Sequence, residues 1–179
     1  GLDLVLAESG ESHALRAGQY EARRRAGDDA LARLRAAVPT LGSLVDIAPA
    51  SLPRLLPLLP PPLDRRVRHV VNENQRTVLA ARALEAGDLA TFGRLVNASH
   101  DSLRDLYECS TARLDAIVTA ARRLPGVLGA RLVGAGWGGA VLVVAAPGEG
   151  DRVAERLRAD VALALPAVRV IRPGAGVGG

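Results

Sequence analysis

The sequence predicts an α+β fold: a ferredoxin-like antiparallel sheet with helices on one face. Three observations predict it. The closing part of the chain runs helix, strand, strand, helix, strand, an order that suits an antiparallel sheet with helices layered against it. A short apolar run with strand character, Leu2 to Ala7, opens the chain. Between two late apolar strands lies Gly134-Ala-Gly-Trp-Gly-Gly139, four glycines in six positions around the only Trp of the 179 residues.

In order along the chain, Leu2 to Ala7 reads as a strand that begins abruptly, as if an earlier strand preceded it. Gly18 precedes an Arg-rich helical segment, Tyr20 to Val38, with Leu31, Leu34 and Val38 at helical spacing. Residues Pro39 to Leu63 hold seven of the eleven prolines and read as a connector of short helical turns whose leucines line a core. Three periodic helices follow. Val67, Val70, Val71, Asn74, Val78 and Ala81 make one face of the first, which Gly87 ends. Asp88 caps the second, with Phe92, Leu95, Val96, Ser99, Leu103 and Leu106 on one face. Ser110 or Thr111 caps the third, with Leu114, Ile117, Val118 and Ala121 inward and Pro125-Gly126 at its end. The strand–turn–strand unit covers residues 127 to 146. After the turn Pro147 to Gly150, Asp151 caps a helix carrying Val153, Leu157 and Val161. Val168 to Ile171 is a last strand, and 173–179 is a loose tail.

Composition sets bounds on function. About half the residues (49%) are apolar, enough for the core of one domain or of one lobe of a larger protein. Apolar runs fall far short of the ~18 residues a membrane helix needs, so a soluble chain is expected. Gly1 with no basic-then-apolar leader reads as a processed or excised terminus rather than a signal peptide. The single Cys109 forms no internal disulfide and suits a reducing cytoplasm. All 23 basic residues are Arg, a pattern that GC-rich codon usage explains. The net charge is only +4, the Arg residues are interspersed with Asp and Glu, and aromatics make up 2%. A nucleic-acid partner is therefore disfavoured.

The glycine turn is the leading chemical candidate. Four glycines imply several positive φ angles or a close backbone approach, and successive free N–H groups form a concavity suited to phosphate. A tight hairpin packed under helices explains the same glycines equally well. The turn is neither a Walker A loop nor a dinucleotide fingerprint, because a strand follows it rather than a helix. Tyr20, at a helix start, can bury its ring and present its hydroxyl to a ligand. His13, His69 and His100 lie far apart without metal-ligand spacing and read as surface or helix-face residues. Arg65-Arg66-Val67-Arg68 reads as a solvated helix start, and Glu73 as part of a polar cluster bracing its neighbours. No Ser/His/Asp or Cys/His arrangement is present.

Four segments taken in order resemble the C-terminal half of galactokinases, members of the GHMP family of small-molecule kinases. They are Arg65-Arg-Val-Arg-His-Val-Val-Asn-Glu-Asn74, Ala86 to Arg104, Cys109-Ser-Thr-Ala-Arg-Leu-Asp115 and Gly129 to Gly139. Ser12-His-Ala-Leu and Gln19-Tyr-Glu-Ala-Arg-Arg24 are similar to the segment that follows the catalytic region in that family. The resemblance spans residues 2 to 172 and implies a GHMP kinase C-terminal domain over 1–179, without the ATP-binding lobe. It implies that Gly134, Ala135, Gly136, Trp137, Gly138 and Gly139 are the third signature motif, which approaches phosphate, and that Tyr20 contacts galactose. ATP and Mg²⁺ belong to the complete enzyme. Galactose and ATP are met together with the absent lobe, and a homodimer through the exposed lobe face is expected.

The chain departs from the family pattern at Val133 (usually Thr), Ala135 (often Gly), Trp137 (usually Phe) and Ala140 (often Cys). It has no Gly-Leu-Ser-Ser-Ser run and nothing like the family's catalytic Asp motif, so no catalytic residue and no metal ligand is expected here and the chain alone is expected to be inactive. The rival expectations are another GHMP sugar kinase, such as an arabinokinase, and a non-catalytic sugar-sensing relative.

Overall fold

The computed structural model describes residues 1–11 and 16–171; His13, the Ser12 to Leu15 part of the Tyr20 segment and the tail 173–179 lie outside the described residues. Strands β1 (Asp3–Glu8), β2 (Val127–Val133), β3 (Ala140–Ala145) and β4 (Val168–Ile171) form one antiparallel sheet in the order β2-β3-β1-β4. The first strand is therefore central and pairs with the third, the ferredoxin-like order that the sequence predicted. Alternation along the strands sends Val5, Ala7, Ala130, Leu132, Val141 and Val143 to one face. Helices α5 (Ala112–Arg122) and α6 (Gly150–Ala159) cover that face with Leu114, Ile117, Val118, Ala121, Val153 and Leu157.

A second core lies in the first half of the chain. Helix α1 (Arg16–Ala37) sets Ala30 and Leu34 against Leu41, Leu44, Leu55, Leu56 and Leu59 of the connector. Val67 and Val71, from the first half of the 23-residue helix α3 (Leu63–Glu85), close this core. The connector is broken into single turns, 44–46, 49–51, α2 (Leu52–Leu55) and 56–58. Pro49, Pro53 and Pro57 each stand at the start of a turn, where a missing N–H does no harm but a longer helix cannot run through.

Helix α4 (Leu89–Ser102) joins the two halves. Asp88 caps it, accepting the Thr91 N–H at 2.9 Å. The helix lies along the open side of β2, so close that Gly93 abuts Leu128 and Gly129. Its polar side chains replace the missing neighbouring strand. Asn97 Oδ1 accepts the Ala130 N–H at 3.0 Å, His100 Nδ1 accepts the Leu132 N–H at 3.3 Å, and Arg122 of α5 donates to the Ala130 carbonyl at 3.2 Å. An edge strand would otherwise present these groups unpaired.

Three sequence expectations are corrected. The inward face of α3 does not continue from Val71 through Asn74, Val78 and Ala81, which are exposed; Ala83 is the buried apolar residue of the second half, and Asn74 Nδ2 instead donates to the Val45 carbonyl of the connector at 3.2 Å. Helix α6 stops at Ala159, so Val161 is 90% exposed and Leu163 takes the buried place. Asp160 causes the stop, its Oδ1 accepting the N–H groups of Ala162 and Leu163. The start of α6 is capped by Asp3 of β1, not by Asp151: Gly150 N–H donates to Asp3 Oδ2 at 3.0 Å. Of the two candidates for α5, Thr111 is the cap, accepting the Leu114 N–H at 3.1 Å.

The other face of the sheet is open in part. Leu4, Leu142 and Val144 form, with Leu84 and Phe92, the wall of an apolar groove of about 420 Å³. A second hollow of about 460 Å³ continues it past Leu2, Leu89 and Pro147. Among the described residues no helix is long and apolar enough to cross a membrane.

Gly93→Ala drives a Cβ into the Leu128 carbonyl and should cost about 1–3 kcal/mol, lowering the melting temperature by ~2–4 °C for each kcal/mol. Gly27→Ala, in open space on α1, should instead stabilise by about 0.5–1 kcal/mol. Thermal unfolding of the two variants checks both, and an unchanged Gly93→Ala midpoint would contradict the close seating of α4.

Candidate functional site

Five residues of the β2–β3 turn have positive φ: Gly134 (82°), Gly136 (86°), Trp137 (51°), Gly138 (109°) and Gly139 (88°). The sequence reading of repeated positive φ therefore holds, and so does that of close approach. A Cβ on Gly136 would collide with the Cys109 carbonyl, which accepts the Trp137 N–H at 2.7 Å. On the other flank Ser9 N–H donates to the Gly139 carbonyl at 2.7 Å. Gly134 and Ala135, at the tip, are exposed, and Gly134 borders a hollow of about 500 Å³ that reaches Glu8, Glu11 and Val133.

Behind the turn, α4 runs into a π-helical turn, Leu103–Tyr107, that ends at Glu108 with a left-handed φ of 55°. This places successive carbonyls and one carboxylate in a row. Arg23 of α1 donates Nε to the Tyr107 carbonyl at 2.7 Å and a terminal nitrogen to the Glu108 carbonyl at 3.1 Å. The same guanidinium lies over the Trp137 ring, 5.6 Å from its centroid. The Glu108 carboxylate receives Arg65 at 2.5 Å and also Arg66, while Arg66 reaches the Leu106 carbonyl as well. Arg66 is only 3% exposed and is not part of the solvated helix start that the sequence suggested, whereas Arg65 and Arg68 are exposed as expected. Arg65 and Arg66 both face the segment that carries the turn. Arg66 first, then Arg65 and Arg23, hold the Glu108 carboxyl below the usual carboxylate range.

Tyr20 stands 57% exposed on α1, three residues before Arg23 and hence on the same side of the helix. Burial first, and then its Cys109 and Tyr20 neighbours, push the Tyr107 phenol up, while Arg23 pulls it down. Three of the chain's four aromatic residues, Tyr20, Tyr107 and Trp137, thus belong to this corner. The structure brings α1 and the glycine turn together through Arg23.

The histidines serve elsewhere. His69 and His100 are buried rather than on the surface. His69 Nδ1 shares a hydrogen bond of 2.8 Å with Ser102 Oγ, and its ring stacks on Tyr107 at 4.6 Å. His100 Nε2 meets Asp115 at 3.1 Å. Burial pushes His69 down to about 4 and also lowers His100, so both rings are neutral. Glu73 braces α3 and α4, accepting from Ser99 Oγ at 2.5 Å and pairing with Arg76. The Cys109 thiol is pushed up to about 11, chiefly by burial, and is a packing group. Among the described residues no three His, Cys, Asp or Glu side chains form a metal-ligand set.

Sequence reasoning singled out Tyr20 and the turn but missed Arg23, Glu108 and Asp3. Arg23 had a readable signal, its three-residue spacing from Tyr20. Glu108 had none, because nothing local marks a Glu for a left-handed conformation.

Residues 80–163 match the family of GHMP kinases, C terminal. The chain belongs to that family and forms its C-terminal domain. Within it the chain is similar to galactokinases. It is 46% identical over 136 residues to the galactokinase of Roseiflexus sp. (strain RS-1), covering 76% of this chain and 35% of that protein. It is 39% identical over 183 residues to the galactokinase of Chloroflexus aggregans, covering 99% of this chain and 46% of that protein. A crystal structure of Lactococcus lactis galactokinase complexed with galactose superposes with a TM-score of 0.82 at 31% identity, over 95% of this chain and 44% of that one. The chain therefore spans less than half the length of each of these relatives.

The neutral histidines predict a direction of pH dependence. His69 takes up its proton more readily unfolded, near 6.5, than folded, near 4. The stability that its neutral form contributes is therefore complete above 6.5 and is lost as pH falls towards 4. The loss should reach about 3 kcal/mol, read as a falling urea midpoint from pH 7 to 4. His69→Gln should flatten that slope, and a midpoint that rises on acidification would contradict the assignment.

Proposed function

We propose that this chain is the C-terminal lobe of a galactokinase, which transfers the γ-phosphoryl group of ATP to the C1 hydroxyl of α-D-galactose. The observation that carries the reading is one coincidence. Likeness to galactokinases runs over 99% of the chain, and the two segments read here as substrate-facing, Tyr20 and the turn, are joined by Arg23.

Phosphoryl transfer depends on positioning and on neutralising developing charge. In the proposed enzyme Tyr20 offers its exposed hydroxyl to the sugar and orients the C1 hydroxyl. The turn approaches phosphate with backbone amides. Trp137 N–H is committed to Cys109, so the amides that serve phosphate are those of the neighbouring glycines. ATP and Mg²⁺ supply the phosphoryl group and its charge compensation, and their other contacts belong to the lobe that galactokinases carry besides this one. The reduced, buried Cys109 supports a cytoplasmic setting.

The chain alone should release no ADP from ATP and galactose in a coupled assay, whereas the same chain with its partner lobe should turn over. In that two-lobed protein Tyr20→Phe should lower kcat/KM for galactose about tenfold, the loss of roughly one hydrogen bond. Turnover by the isolated chain, or full activity of Tyr20→Phe, would overturn the reading.

The apolar groove on the outer face of the sheet supports a lobe–lobe contact. Left uncovered it should pair with a second copy, giving a dimer by light scattering for the isolated chain and a monomer once the partner lobe is present. A monodisperse monomer of the isolated chain would count against it.

A further inference from the structure

The glycine turn has one large side chain, Trp137, with which to fix its orientation, and the proposed chemistry needs the turn held relative to Tyr20. We propose that Arg23 is a positioning residue that locks α1, and with it Tyr20, to the glycine turn. The inference rests on the reading of Tyr20 and the turn as substrate-facing.

Arg23 has the reach and the geometry for this role. Its guanidinium donates to two successive carbonyls, Tyr107 at 2.7 Å and Glu108 at 3.1 Å, and its third neighbour is the Glu108 carboxylate at 3.8 Å. Its Cζ lies over the ring of Trp137, the one turn residue with a large side chain, 5.6 Å from the centroid. Trp137 in turn is tied through its own N–H to Cys109, the next carbonyl along the same segment. Arg23 and the turn are thus both referenced to 107–109, and Arg23 additionally touches the turn itself. Among the described side chains no other Arg of α1 has such contacts: Arg24, Arg25 and Arg33 pair with carboxylates of their own helix, and Arg35 bonds the connector carbonyls of Leu41 and Gly42. A fork that serves two carbonyls and stacks on a ring is a task for Arg rather than Lys, whose ammonium has neither the plane nor the paired donors.

Trp137 is the only Trp in the chain, so its fluorescence reports this contact directly. Arg23→Gln should shift the emission to longer wavelength and make it easier to quench with acrylamide. Amide hydrogen exchange over 134–139 and over the start of α1 should accelerate together by about tenfold, as expected for a local opening made ~1.4 kcal/mol easier. Exchange in α5 should stay at the wild-type rate. Trp137→Phe should accelerate exchange at the start of α1, and Arg23→Lys should recover part of the emission but not the exchange protection. Arg33→Gln, on the same helix, should change none of these. The proposal is overturned if Arg23→Gln leaves 134–139 protected, if α5 opens equally and the effect is global, or if Trp137→Phe leaves α1 unchanged. Galactose is absent from all these measurements. A two-lobed protein that fails to phosphorylate galactose would sink the functional reading while leaving the coupling to be decided by Trp137.

Discussion

The structure depends on a short stretch of backbone, Leu106 to Cys109, that is shared by both halves of the molecule. Four consecutive carbonyls accept bonds from three directions: Leu106 from Arg66 of α3, Tyr107 and Glu108 from Arg23 of α1, and Cys109 from Trp137 of the turn. Glu108 adds its carboxylate to Arg65 and Arg66. This convergence is possible because Glu108 adopts a left-handed conformation after a π-helical turn. Such a residue costs on the order of 1–3 kcal/mol, and charge-assisted hydrogen bonds from three guanidiniums offset it.

The division of labour between the two cores and this seam follows from magnitudes. Each fully buried Leu or Val contributes about 1.5–3 kcal/mol, and both cores hold many of them, so each half is stabilised by its own apolar packing. The seam contributes less net energy, because burying Arg66 carries a desolvation penalty that its partners have to repay. What the seam supplies is orientation. Apolar contacts are non-directional, whereas a planar fork on two carbonyls admits one arrangement. The angle between α1 and the glycine turn is therefore set by polar contacts of modest strength rather than by the strong apolar ones.

This division also explains which features the sequence made legible. The inward face of α5, Leu114, Ile117, Val118 and Ala121, was readable because its partner is a flat apolar sheet, which imposes helical periodicity on the residues that touch it. The outer half of α3 misled because Val78, Leu79 and Leu84 are apolar yet exposed; an apolar residue at a groove looks, in sequence, like one in a core. The turn's conformation was written in its glycines, but its anchor was not. Cys109 acts through a backbone carbonyl, which every residue type possesses. The Asp3 cap on α6 is silent for a related reason, since its partner lies 147 residues away. Contacts made by backbone groups, and contacts between distant segments, leave no local mark.

The departures from the family pattern around the turn can be judged on the same physical grounds. The bonds that shape the turn are made by the Trp137 N–H and the Gly139 carbonyl. Neither involves a side chain of 133, 135 or 140, so Val133, Ala135 and Ala140 leave the backbone path intact. Val133 instead changes what borders the hollow beside the turn: an apolar, partly exposed side chain where a Thr would place a hydroxyl. Trp137 acts in the opposite sense. Where the family usually has Phe, the indole gives Arg23 a larger and more electron-rich face. In this chain the turn therefore has an apolar group at its rim and an aromatic face under Arg23 of α1, features of anchoring rather than of shape.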